Sequence, residues 1–272
     1  MKIFLKTVVV LFVFLGANKL FAFGGLKLIN TQIIDMDSVE TVNIIYSSTN
    51  IVLLESNDNN LILKEFMTRN SHFANIEKSH GVLTISKKIR PLFIITRTEI
   101  HIPKMFAGNL LVNLKSGNLT SNYNMNHRSI KLSVSSGNMN VSSVSSENIM
   151  VNVSSGNIKI YNCQGNVNVV NKSGNITIDN FSGDGMFEKK SGNISLNIND
   201  INGDLFLSTK SGIINLKVSD NISFIFDADV RSGNIRIPNM RTQVNTKTQH
   251  IIGSDPIYTI FAKIGSGNIN IK

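Results

Sequence analysis

The groups in this sequence that could support chemistry are a few aspartates, one thiol and 5 imidazoles. Asp184 and Asp204 each follow a glycine at matching places in the chain. Carboxylates at equivalent corners are a way to hold calcium, but calcium takes six to eight oxygens. Calcium-binding β-rolls place Gly-Gly-x-Gly-x-Asp in each half-turn, whereas most corners here carry neutral Asn. No metal is therefore expected. Asp200, Asp204 and Asp220 form the one close carboxylate set. They would have to supply the acid and base of a glycan lyase or hydrolase. His72, His80, His101, His127 and His250 lack metal-ligand spacing such as His-x-x-x-His. Cys163 stands alone, without a nucleophile signature. It is expected to be a small buried hydrophobe, and it excludes an intrachain disulfide and a multi-cysteine zinc site. No Gly-x-Ser-x-Gly elbow occurs. The expectation is a protein without catalytic residues, cofactor or metal.

The elements carrying these groups are set by a repeat. Ser-Gly-Asn recurs at Ser116, Ser136, Ser155, Ser173, Ser191, Ser232 and Ser266, with Ser211-Gly212-Ile213 a degenerate copy. From Gly117 to Gly233 the glycines step by 20, 19, 18, 18, 20 and 21 residues. Aligned on the glycine, apolar residues fill four columns, at −7, −5, +2 and +4. Ile130, Leu132, Met139 and Val141 around Gly137 are one example, and only Ser121 and Gly185 clearly break the pattern. Alternation at period two means strands with one face buried. A second Gly-Asn or Gly-Asp often lies nine residues before the first, as at Gly165-Asn166 and Gly183-Asp184.

One unit is therefore strand, turn, strand, turn, too short to make a domain alone. Stacked units bury a continuous core. The predicted fold is all-β: a single-stranded parallel β-helix, or β-solenoid, of about 18–21 residues per coil. Glycine supplies the positive φ of the corner. Asparagine tolerates left-handed backbone, and equivalent asparagines can stack as a ladder between coils. The Asn-x-Ser/Thr triplets at Asn175 and Asn193 fall out of this consensus and are not read as glycosylation sites.

The chain divides into three segments. Residues 1–22 read as a signal peptide, with basic Lys2 and Lys6, an apolar run from Thr7 to Ala17, and a cut after Ala22. Residues 23–105 read as an N-terminal β cap and first coils, because a solenoid needs its first coil covered. Residues 106–272 read as the repeat solenoid, with Pro238 to Asp255 looping out before the last coil and the edge at Lys272 left uncapped, to be blunted by that loop or by another chain. After signal cleavage no apolar run is long enough to span a membrane.

The whole chain has 272 residues, 42% apolar and 17% charged, with 19 Gly and no Trp. That composition excludes disorder and allows a sizeable core. Its net charge of +9 falls to +6 when Lys2, Lys6 and Lys19 leave with the signal. The bases are scattered, apart from Lys87-Lys88-Ile89-Arg90, a mild bias toward anionic envelope surfaces. Nucleic acid is not an expected partner, since it asks for a basic stripe with aromatics.

The Ser-Gly-Asn-Ile-x-Ile units follow Glu99-Ile100-His101-Ile102-Pro103 and end in Ile264-Gly265-Ser266-Gly267-Asn268-Ile269-Asn270-Ile271. In this the chain resembles the bacterial putative-adhesin domain family, a β-strand-repeat family of unknown function, over roughly residues 40–272. The resemblance implies a right-handed parallel β-helix with exported, envelope-associated members. The expected role is a non-enzymatic exported binding module, located in the periplasm, on the outer surface or outside the cell. Its suspected partner is an envelope or host glycan or protein. The alternatives are a scaffold that associates end to end and, behind it, a glycan-active enzyme.

Overall fold

The computed structural model describes residues 25–69, 71–88, 94–238, 240 and 242–272. The expected signal peptide lies outside the described residues, as do Ile89 and Arg90 of the basic run. The described chain forms 18 strands and, among the described residues, no helix. The first seven are β1 (Lys27–Ile34), β2 (Thr41–Tyr46), β3 (Asn50–Ser56), β4 (Leu61–Met67), β5 (Asn75–Ser79), β6 (Val82–Lys87) and β7 (Thr96–Pro103). The repeat region begins with β8 (Asn109–Ser116), β9 (Leu119–Asn126), β10 (Ser129–Ser136) and β11 (Met139–Ser155). It continues through β12 (Ile158–Ser173), β13 (Ile176–Ser191), β14 (Ile194–Val218) and β15 (Phe224–Arg236). The chain closes with β16 (Gln243–Val244), β17 (Lys247–Ile252) and β18 (Thr259–Ile271).

The glycine-aligned columns are the parallel register. Leu110, Ile130, Ile149, Val167, Gly185 and Leu205 pair one with the next through β8, β10, β11, β12, β13 and β14. All but Gly185 are fully buried aliphatics, each worth about 1.5–3 kcal/mol. At Gly185 the missing side chain is offset by Phe187 and Phe181, fully buried and packed edge to face at 5.6 Å.

The asparagine ladder takes a specific form. The Asn157 N–H donates to the Asn138 Oδ1 at 2.9 Å, and the Asn175 N–H to the Asn157 Oδ1 at 2.9 Å. Each side chain thus accepts from the backbone of the following coil. Ile213 still donates its N–H to the Asn193 Oδ1 at 3.1 Å, so the degenerate repeat loses one rung and not two. The corner glycines need their positive φ (140° at Gly156), and a Cβ on Gly156 would overlap the Gly137 carbonyl.

Stack order departs from chain order at both ends. Val42 of β2 pairs with Leu83 of β6 on one side and Leu110 of β8 on the other. The coil holding β2 and β3 therefore sits between β6–β7 and β8–β9. At the other end, Ile260 of β18 pairs with Leu205 of β14 and with Phe226 of β15. The expected sequence-order stack with an open edge at Lys272 is corrected here. Between Val218 and Phe224 the chain skips one place, and β18 fills it with both edges paired. The exposed side of β15 is taken by β17, antiparallel, from within the Pro238–Asp255 segment. An unpaired apolar edge is a template for further strand addition, and this order removes it from β18.

Candidate functional site

The strand before each Ser-Gly-Asn corner has a third inward position, three residues before the glycine. In stack order this column reads Leu114, Val134, Val153, Asn171, Lys189, Thr209, Ile264 and Val230. Five members are aliphatic and buried. The middle three are polar and equally buried, with Lys189 only 5% exposed. The Lys189 Nζ donates to the Asn171 Oδ1 at 3.0 Å. The Asn171 Nδ2 in turn donates to the Gly156 carbonyl at 2.9 Å, and the Thr209 hydroxyl to the Ser211 carbonyl at 3.2 Å. Burial pulls the Lys189 ammonium down to about 8, because low dielectric disfavours its charged form.

Next to this buried trio, two residues before each glycine, the side chains point outward. In stack order the exposed column is Lys172, Lys190, Lys210, Gly265 and Arg231. Gly265 has no side chain, so the surface dips between Lys210 and Arg231. An open groove of about 690 Å³ runs across these coils. Lys172, Lys189, Lys190, Lys210, Arg231 and Lys263 all line it, and Glu188 is the one acid among its described lining residues. Lys263 approaches Asp229 at 3.7 Å. Among the described residues, Lys172, Lys190, Lys210 and Arg231 enter no ion pair. Adjacent coils lie about 4.8 Å apart, so the lysine ladder concentrates positive potential along the stack axis. On the same outward strands Phe206 and Phe261 stack at 4.7 Å, nearly parallel, with Phe206 about half exposed.

The residues singled out by sequence serve their own corners. Asp184 accepts from the Asn166 Nδ2 at 2.6 Å, and Asp204 accepts the Thr259 N–H at 2.8 Å. Asp200 accepts the N–H of Ile201 at 2.9 Å. Among the described residues no three His, Cys, Asp or Glu side chains gather as a metal site. Cys163 is buried, and burial pushes its thiol up to about 12. The five histidines do not gather: His101 lies in β7 and His250 in β17, while His72, His80 and His127 lie between strands. His127 is buried, with its Nε2 3.0 Å from the Tyr123 hydroxyl and its ring tilted on Phe106 at 5.5 Å. Burial lowers it to about 4. His101 is part-buried, and burial with Lys64 nearby lowers it too.

The groove itself was missed by reading the bases as scattered. Extending the glycine alignment to the two positions before Gly places Lys115, Lys172, Lys190, Lys210 and Arg231 in one column. The exchange of β18 and β15 in the stack is what no alignment displays.

The chain belongs to the Toastrack DUF4097 family, whose model matches residues 39–272. This is a putative-adhesin domain family of unknown function. Among solved structures, a "putative adhesin" from Bacteroides fragilis is similar at 13% identity and TM-score 0.45, covering 92% of this chain and 99% of that one. A "putative cell adhesion protein" from Clostridium sporogenes is similar at 10% identity and TM-score 0.32, covering 91% and 99%. A "putative adhesin" from Parabacteroides merdae is similar at 13% identity and TM-score 0.30, covering 92% and 97%. No curated protein matches the chain.

Proposed function

We propose that this chain is an exported, non-enzymatic binding module of the cell envelope, a right-handed β-solenoid opened by an N-terminal β cap. It holds its ligand against a lateral face without turning it over. The groove carries this reading: four cations that enter no ion pair among the described residues stand on the outward face of the stack, beside a buried lysine. Such a surface attracts anions and offers repeated weak contacts along a rigid rod. Export is supported by the basic start, the apolar run from Thr7 to Ala17 and the small Ala22. The lateral face is favoured over end-to-end association because β17 lies antiparallel on β15, which takes the regular parallel edge away from that end.

Protease shaving tests the location. Intact cells expressing the protein are treated with protease and compared with lysed cells. Cleavage on intact cells is expected for a surface module, and cleavage once the outer membrane alone is permeabilised for a periplasmic one. Full protection until the cytoplasm is opened would overturn export.

A further inference from the structure

We propose that the groove over Lys172, Lys190, Lys210 and Arg231 binds a linear acidic polysaccharide, one that carries a carboxylate on its sugars and lies along the stack axis. This rests on the binding-module reading and names its ligand class.

The spacing fits such a chain: Lys172, Lys190 and Lys210 come one per coil, about 4.8 Å apart at their backbones, and Arg231 follows one coil beyond Gly265. A pyranose ring in an extended chain advances by about the same distance. Successive sugar carboxylates can therefore meet successive ammonium groups, with flexible lysine stems absorbing the mismatch. The shape fits as well. Gly265 leaves the line of side chains open between Lys210 and Arg231, and a Cβ there would press on the Lys210 carbonyl at 2.6 Å. The groove is concave where a flat lipid surface would need a convex or level one.

No aromatic side chain is among the described lining residues, and single-stranded nucleic acid binds on aromatic platforms as well as charge. Lys189 lies beneath the exposed row, its ammonium held by the Asn171 Oδ1 at 3.0 Å. A cation beneath a groove deepens the positive potential there, because the protein interior screens it less than water does. Glu188 is the opposing charge on the lining, and it should weaken any polyanion.

The test uses the full purified chain, titrated calorimetrically with polygalacturonate oligomers, a neutral glucan and single-stranded DNA of matched charge. The uronate oligomers should bind, and raised salt should weaken them steeply. The neutral glucan should not bind, and DNA should bind at least tenfold more weakly than uronate. Lys190→Glu with Lys210→Glu should weaken uronate binding at least tenfold. Lys115→Glu with Lys131→Glu, exposed on coils outside the groove, should change it less than twofold. Glu188→Gln should strengthen binding two- to fivefold, a readout that damage to the fold would not give. DNA binding as tight as uronate, or equal losses in the two charge-reversal pairs, would overturn the proposal. A wild-type chain that holds envelope material but no uronate would overturn the ligand class and leave the binding-module reading standing. One that holds neither would overturn both.

Discussion

The Lys189 ammonium lies 3.0 Å from the Asn171 Oδ1, one coil away, in an inward column that is otherwise aliphatic apart from Thr209. A buried charge in a stack of valines, leucines and isoleucines is costly unless well paired. A lysine in that column is placed for something other than stability.

Lys189→Met should therefore stabilise the fold at neutral pH. The folded ammonium is lowered to about 8 from 10.5. The unfolded chain holds that proton more tightly, so stability is lowest below pH 8 and rises as pH climbs toward 10.5. The span is on the order of 3 kcal/mol at most. Denaturant melts at pH 7 and pH 10 would read it: a gain for the variant at pH 7, shrinking at pH 10. A variant less stable at pH 7 would show that the lysine supports the fold.

His127 gives the opposite end of the pH scale. Its folded value of about 4 lies below the ordinary imidazole value of 6.5. The unfolded chain binds the proton first as pH falls. Stability is full above about pH 6.5 and declines toward pH 4, by on the order of 3 kcal/mol. His127→Gln should flatten that decline in thermal melts between pH 7 and pH 4.5. An unchanged slope would assign the acid sensitivity elsewhere.

The ladder predicts a gain of function in the fold itself. Ile213 offers no acceptor to the coil above, where Asn268 follows Gly267. Ile213→Asn should restore the rung and add about 1 kcal/mol, as one net hydrogen bond does. Asn157→Ala should cost about as much, since it strands the N–H of Asn175. Urea midpoints of the two variants should move in opposite directions.

In the N-terminal region Glu65 and Lys87 form an ion pair at 3.1 Å with side chains 1% and 4% exposed. Glu65 also accepts from the Asn30 Nδ2 at 3.0 Å and the Ala74 N–H at 3.2 Å. Lys87→Met should cost about 3–5 kcal/mol by leaving the carboxylate buried without its cation. The double variant Glu65→Leu, Lys87→Met should recover part of that loss. Chemical denaturation of single and double variants separates the two terms.

The solenoid was legible in the sequence because glycine corners and period-two apolar columns are local. Gly117 to Gly212 mark corners that stack in chain order, and the register of β8 to β14 follows from them. Lys189 and Asn171 were not legible as buried, because a polar residue in a strand reads as outward. Nor was the place of β18, since its pairing with β14 spans 55 residues and depends on β15 standing one coil further out. The corner roles of Asp184 and Asp204 followed from the repeat. The groove did not, because its cations come from five strands and acquire a common face only when those strands stack.

The most direct test is retention of the purified chain on the envelope fraction of its own cells. Wild type is compared with Lys172→Glu, Lys190→Glu, Lys210→Glu combined, and with Lys115→Glu, Lys131→Glu as the charge control. Wild type and control should be retained and released by rising salt, while the groove variant passes through. Equal retention of all three would contradict the account.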